Sequence, residues 1–529
     1  MLSDTSQREL VLIRTVVLIL HSIAPLCSLY ALTILPRGFL DPRSPPLTAL
    51  QWWCVAEALF FAFFLWYRRR LQREAIHPPL RTKEERRALF DKVRSEIHDP
   101  EKFLSGWFRA AKLEDIGRDD LKVFLDWAFW ESRAEDEHGE ELDEYVQAVE
   151  KMMGRQFKPG KGTAKSLRLT IDPIEMQWRS LVWYTIIMLI DTTSYIRMLL
   201  YGMQYYWTPA SSFRIFPPRP LAVLTATARS PAQSLSYWLR PHTSKTRLPV
   251  LYLHGIGVGL HPHIEFLREL DSALNKSPGS RADDQVGILS VEIMQISSRL
   301  THSMPTRSEF LAQLTQILDA HDYKRFVLLS HSYGSVLSTN VLTHDPLASR
   351  VSGTLFVDPV TILLHMPDVA YNFTIRKPRH ANEWQLWYFA SKDPGVSHAL
   401  GRHFFWSENV LWRDRIMQLI REQNMRVTAS LASKDLIVDT EAVGQYLMEA
   451  KVPDPVLVKD VTNQNQTMQL HDKRAHPGVG GDQGWKRREW QGRGLEVLWW
   501  EGLDHAQVFD EKARRKKLVD VLVEYSKGS

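Results

Sequence analysis

The sequence predicts an α/β fold, a mostly parallel sheet with helices on both faces, preceded by an N-terminal helical hairpin and a helical region. Three observations predict it. From about residue 220, short strand-like apolar runs alternate with helical ones, the pattern of a parallel sheet covered on both sides. Residues 325–338, RFVLLSHSYGSVLS, read as strand, sharp turn and helix, with small residues on either side of a central serine. Two apolar stretches long enough to cross a bilayer lie before residue 70.

Composition narrows the function classes. The net charge of +5 over 529 residues is weak and, one cluster apart, spread along the chain, so no nucleic-acid footprint is present. The two cysteines, Cys27 and Cys54, both fall inside apolar stretches, which excludes a disulfide framework and a Cys-based zinc site. Eighteen tryptophans are many, and aromatic rings favour membrane interfaces and apolar pockets.

In chain order, residues 10–35 form the first apolar stretch, interrupted by Arg14 and His21; without a basic flank before it, and with this length, it reads as a membrane span rather than a signal peptide. A short Pro-rich turn leads to the second, Ala49 to Tyr67, whose single carboxylate is Glu57. Two spans and a short loop make a hairpin with both ends on one side, so 1–70 is assigned as a membrane anchor. The basic run RRRLQRE follows at once, and by the positive-inside rule this flank is cytosolic. Residues 71–215 are assigned as a helical membrane-proximal region. Leu121, Phe124, Leu125, Ala128 and Phe129 recur at helical spacing, the acidic run Glu135 to Glu144 reads as a solvated helix end, and PGKG at 159–162 reads as a linker.

Residues 180–203 are apolar enough to span, yet Asp191 and Arg197 would each cost roughly 2.5 to 3.5 kcal/mol at a helix centre. A helix at the membrane surface or packed on the following domain is therefore favoured over a third span. A third span would move the rest of the chain across the membrane, where the sequons at Asn275, Asn372 and Asn465 become glycosylation candidates.

The α/β domain is assigned to 216–529, with strands in SLSYWLRPH, PVLYLHGIG, VGILSVEI, RFVLLSH, SGTLFVDPV, MRVTASLAS and GLEVLWWEG. A lid is placed at about 360–425 and a surface insertion, rich in Gly, Pro, Asn and charge, at about 453–494.

Four sites carry the chemistry. Ser332 tops the strand-turn-helix, with Ser330 and Gly334 small enough for strand and helix to approach. Asp435 follows MRVTASLAS, and His505 follows the last strand. In this order the histidine takes the serine proton and the carboxylate orients the ring. The early turn His254-Gly255-Ile256-Gly257 supplies the fourth site: the amides of Ile256 and Tyr333 are the candidate oxyanion donors. Asp358, also after a strand, is the rival acid, Asp439 a weaker one, and Asp504 reads as a loop residue. No metal site is assigned.

Through PVLYLHGIGVG, LLSHSYGSV, FVDPV, ASKD and GLDHAQ, residues 220–525 resemble the α/β-hydrolase superfamily, and in particular its membrane-tethered serine hydrolases of fungal type. FLSGWFRAAKLEDI extends the likeness into the helical region; Ser330 stands where many relatives have glycine. The resemblance implies hydrolysis of an ester, thioester or amide without a cofactor. The lid is aromatic-rich, with Phe373, Trp384, Trp387, Tyr388, Phe389, Phe404, Phe405, Trp406 and Trp412. About half of these are expected to build the lid's own core and the others to line an apolar channel, which with the anchor points to a lipophilic ester taken from the bilayer. The sequence reading is thus a membrane-anchored esterase or lipase-like enzyme in an intracellular membrane such as the endoplasmic reticulum, facing the cytosol. A catalytically silent interaction module and an acyltransferase using the same serine are the alternatives.

Overall fold

The computed structural model describes residues 6–34, 36, 45–131, 139–276, 283–449 and 483–528. Most of the Pro-rich turn, the start of the acidic run, Asn465 and the insertion up to residue 482 lie outside them.

Helices α1 (Gln7–Ile34) and α2 (Pro45–Leu71) pack as the predicted hairpin. Both are long and apolar enough to cross a membrane. The carboxylate within the second is not stray: Glu57 is fully buried and accepts the N–H groups of Leu181 (3.0 Å) and Val182 (3.3 Å), two donors that a helix start leaves without partners.

Helices α3 (Lys83–Ser95), α4 (Pro100–Trp107), α5 (Arg118–Trp130) and α6 (Gly139–Met153) form the helical region, and α5 buries all five residues of the predicted stripe. PGKG is not a free linker. It crosses the start of α5, where Asp120 accepts both the Gly117 (2.9 Å) and Gly162 (2.6 Å) amides.

Helix α7 (Leu181–Leu200) packs on the domain that follows. Asp191 accepts from Arg219 Nε (2.8 Å) and Arg299 Nη2 (2.6 Å), and Arg219 donates through both terminal nitrogens to Glu292 at 3.0 Å. This is the predicted packed arrangement, and the buried charge that argued against a third span is the bond that ties the helix down. Its outer face, Ile186, Leu189, Ile196, Leu199 and Leu200, stays exposed. Asn275 is buried, with its amide bonded to Asp271 and the Val286 carbonyl, so it is closed to modification in the folded chain.

The sheet has nine strands: β1 (Gln204–Trp207), β2 (Ala228–Arg229), β3 (Ser236–Arg240), β4 (Val250–Leu253), β5 (Ile288–Glu292), β6 (Phe326–His331), β7 (Val351–Val357), β8 (Arg426–Ala432) and β9 (Leu495–Trp500), in the order β2-β1-β3-β5-β4-β6-β7-β8-β9. β3 runs antiparallel to β1 and β5, and every neighbour from β5 to β9 is parallel. With the strand-to-helix elbow after β6, this is the α/β-hydrolase fold. The sheet starts at Gln204, before the predicted boundary at 216: β1 and β2 are too short for periodicity to reveal, and only the pairing of β1 with β3 and of β2 with β1 makes them strands.

Side chains alternate along each strand. Val250 and Tyr252 pack with α8 (Ile264–Asn275), while Leu251 and Leu253 pack with α9 (Arg307–Ala320) and α10 (Gly334–Leu342). The lid carries α11 (Ala381–Leu386), α12 (Pro394–Arg402) and α13 (Arg413–Gln423) between β7 and β8. It is braced from two sides. Trp384, Trp387 and Phe389 pack with α1 and α7, whereas Phe404 and Trp406 enter the core of the helical region, with Trp406 Nε1 donating to the Ala128 carbonyl at 3.1 Å. The chain closes with α14 (Thr440–Met448) and α15 (Lys512–Ser526). The described end of the predicted surface insertion is anchored instead: Trp485 is buried against Gly444, where a Cβ would lie 2.1 Å from its ring.

Replacing Asp191 with Ala leaves two buried guanidinium groups short of a counter-charge. The expected loss is about 3–5 kcal/mol in denaturant unfolding of the detergent-solubilised protein, against less than about 0.5 kcal/mol for exposed Thr193→Ala on the same helix.

Candidate active site

Ser332 sits in the left-handed region (φ 51°), between β6 and α10. A non-glycine residue there carries strain of about 1–3 kcal/mol, and the surroundings must hold it. The Ser332 amide donates to the Val357 carbonyl (2.9 Å), and Ser335 Oγ donates to the Ser332 carbonyl (2.6 Å). Gly334 meets the end of β4 so closely that a Cβ would lie 2.1 Å from the Leu253 carbonyl oxygen, and a Cβ on Gly255 would lie 2.8 Å from that of Ser332. Ser330 is fully buried beneath them.

The early turn is fixed by its histidine. His254 is buried; its Nε2 accepts from the Ile293 amide (3.0 Å), which leaves Nδ1–H to donate to the Gly255 carbonyl (2.7 Å). Burial pushes this ring below its ordinary pKa, so it is neutral and structural. The next turn is held by Gly257 N–H to Ile296 O (3.1 Å) and Ser298 Oγ to Gly257 O (3.0 Å). Neither the Ile256 nor the Tyr333 amide donates a hydrogen bond among the described residues. Both lie beside Ser332 in sequence or across the Gly255 contact.

The loops after β8 and β9 bring the other two residues in. His505 Nε2 lies 2.9 Å from Ser332 Oγ, and Nδ1 lies 2.6 Å from Asp435 Oδ2. The other Asp435 oxygen accepts the Ile437 (2.8 Å) and Val438 (3.0 Å) amides, so the carboxylate is fixed before it meets the ring. Burial disfavours the charged imidazole, but Asp435, Asp358 and Asp504 together outweigh it and push His505 up to about 9.

The rival acids separate by geometry. Asp358 does not touch the imidazole nitrogens; its Oδ2 accepts the Ala506 amide (2.7 Å). Asp439 caps α14 through the Ala442 amide (3.1 Å). Asp504 does more than fill a loop, since Oδ1 accepts the Leu436 (3.0 Å) and His505 (2.7 Å) amides and Oδ2 accepts from Asn382 Nδ2 on the lid (2.6 Å). Asn382 and Ser335 escaped the sequence reading because a lone Asn or Ser carries no periodic or positional signal. His331 and His263 form a buried histidine pair, 3.2 Å between ring nitrogens, and burial pushes both down.

Beside the elbow lies a cavity of about 940 Å³, bordered by Tyr333, Val336 and Leu337, by Phe310 and Leu311 of α9, and by Phe405 of the lid. Ile76 to Pro79, just past the basic flank of α2, border it too. Of the nine lid aromatics, Phe405 borders it; the others pack within the lid, on the hairpin or in the helical region.

No protein-family model matches the chain, and no curated protein matches it. Solved structures give remote likenesses. Carboxylesterase CesB (YbfK) from Bacillus subtilis is 11% identical over 64% of this chain and 98% of its own, with a TM-score of 0.32. A putative lipase (lip1) from Acinetobacter baumannii AYE is 9% identical over 64% of this chain and 96% of its own, with a TM-score of 0.36. A membrane phospholipase A described as a bacterial virulence factor is 9% identical over 65% of this chain and 94% of its own, with a TM-score of 0.35.

Gly255→Ala places a methyl group against Ser332 Cβ. It is expected to leave unfolding within about 2 kcal/mol of wild type while slowing reaction with a fluorophosphonate about 10²-fold, through displacement of the Ser332 side chain and the Ile256 amide.

Proposed function

We propose that the chain is a membrane-anchored serine hydrolase that cleaves a carboxylic ester of a lipid-like molecule through an acyl-enzyme on Ser332. The observation that carries this reading is the unbroken relay from Ser332 Oγ through His505 to Asp435, at 2.9 and 2.6 Å, on a strained elbow. As Ser332 Oγ attacks the ester carbonyl, His505 Nε2 accepts its proton and Asp435 stabilises the imidazolium. The Ile256 and Tyr333 amides stabilise the oxyanion. Collapse of the tetrahedral intermediate breaks the bond to the alcohol, which leaves with the proton from His505. Water then adds by the same route, releasing the acid and restoring the serine.

Three features support a lipophilic substrate: the apolar hairpin, the exposed apolar face of α7 beside it, and the largely apolar cavity next to Tyr333. The basic flank after α2 favours a cytosolic catalytic domain on an intracellular membrane such as the endoplasmic reticulum, and the sequence motifs favour the tethered fungal type.

A fluorophosphonate probe is expected to label the wild-type protein and not Ser332→Ala; absence of labelling in folded wild-type protein sinks the proposal. Lipid extracts of cells carrying Ser332→Ala are expected to accumulate the substrate ester. In sealed microsomes an added protease is expected to digest the C-terminal domain, and protection would place it in the lumen.

A further inference from the structure

We infer that Asp358 is a positioning residue for His505, whose carboxylate grips the peptide after the histidine and whose charge is linked to the proton on the imidazole. The inference rests on the serine-hydrolase reading and assigns a regulating group to that site.

The geometry begins with the backbone. Asp358 directly follows β7 in the left-handed region (φ 45°), and its own amide is tied to the Ser430 carbonyl of β8 at 2.9 Å. From there its Oδ2 reaches the Ala506 N–H at 2.7 Å. Ala506 is itself left-handed (φ 67°), so one carboxylate oxygen holds a strained peptide adjoining His505. A carboxylate oxygen of Asp358, one of Asp435 and a ring nitrogen of His505 all lie within 4.8 Å of one another.

An amide side chain would serve equally well if gripping Ala506 were the whole task. The carboxylate is costly here: Asp358 is 1% exposed, Asp435 repels it, and it has backbone amides rather than a bonded cation for partners. The charged imidazole of His505 is the group that offsets this cost. The other titratable groups facing the cluster are Asp504, which is bonded to the Leu436 and His505 amides and Asn382, and His331, 5.6 Å from His505 between ring centres and kept neutral by burial beside His263. Burial pushes Asp358 well above the ordinary carboxylate range, against the pull of the charged His505 ring.

The sign follows. Ionised Asp358 favours the charged ring, so at rest it keeps His505 protonated to higher pH, while during reaction it stabilises the imidazolium that forms. Removing the charge and keeping the shape therefore has two opposite effects.

The test uses the full chain in detergent micelles. Asp358→Asn retains an acceptor for Ala506 N–H. It is expected to move the acid limb of the pH profile for ester hydrolysis down by about one pH unit and to lower the alkaline plateau about tenfold. In parallel, histidine-ring NMR titration, with the His505 signal assigned by its loss in His505→Gln, is expected to show the same downward shift of midpoint. Asp358→Ala, which also releases Ala506, is expected to lower the plateau further. An unmoved NMR midpoint in folded Asp358→Asn overturns the inference, as does a rate loss uniform across pH. Failure of the hydrolase reading itself is distinct: the NMR shift persists while fluorophosphonate labelling and hydrolysis are absent in wild type.

Discussion

Everything at the site depends on one backbone contact, the approach of the elbow to the end of β4. Gly334 rests on the Leu253 carbonyl and Gly255 rests on Ser332, with no room for a Cβ at either point. That contact sets how far Ser332 rises above the sheet and how near the Ile256 and Tyr333 amides come to it. The strain at Ser332 is tolerable because hydrogen bonds to Val357 and Ser335 determine it from both sides. His254 serves the same contact from below, by linking the ends of β4 and β5.

The acid-base half is built by a different principle. Asp435, Asp358 and Asp504 come from three loops and converge around one imidazole; each is held by backbone amides, and Asp435 is the one bonded to the ring. Concentrated negative charge in a buried pocket demands a cation, and the ring supplies it. Asn382 extends this arrangement to the lid, so the loop bearing His505 and the lid are joined by a buried hydrogen bond.

The sequence was legible where chemistry coincides with a local pattern. The strand-serine-helix run, the order of Asp435 and His505 after their strands, and the two apolar helices all carry short-range signals. It was illegible where meaning lies in distant partners. β1 is a strand through pairing with β3 and β2 through pairing with β1, and the Asp358 carboxylate is bonded to an amide 148 residues away rather than to the imidazole. About half of the lid aromatics read as lining a channel, yet of the nine Phe405 borders the cavity and the others brace the lid, since composition cannot tell which side of a ring is covered.

Glu57 has a consequence of its own. It joins the hairpin to the start of α7, α7 is joined through Asp191 and Arg219 to β5, and β5 is joined through His254 to the turn beside the serine. Cutting the chain after residue 71 would take away the carboxylate that accepts the Leu181 and Val182 amides, leave Ser180 to cap α7 alone, and lay bare Trp183 and Tyr184, which are buried against the hairpin and lid. A shed or truncated soluble form is thus not a smaller version of this protein. The hairpin and the α/β domain stand or fall together, and separating them requires rebuilding the surface beneath α7 rather than deleting the first two helices.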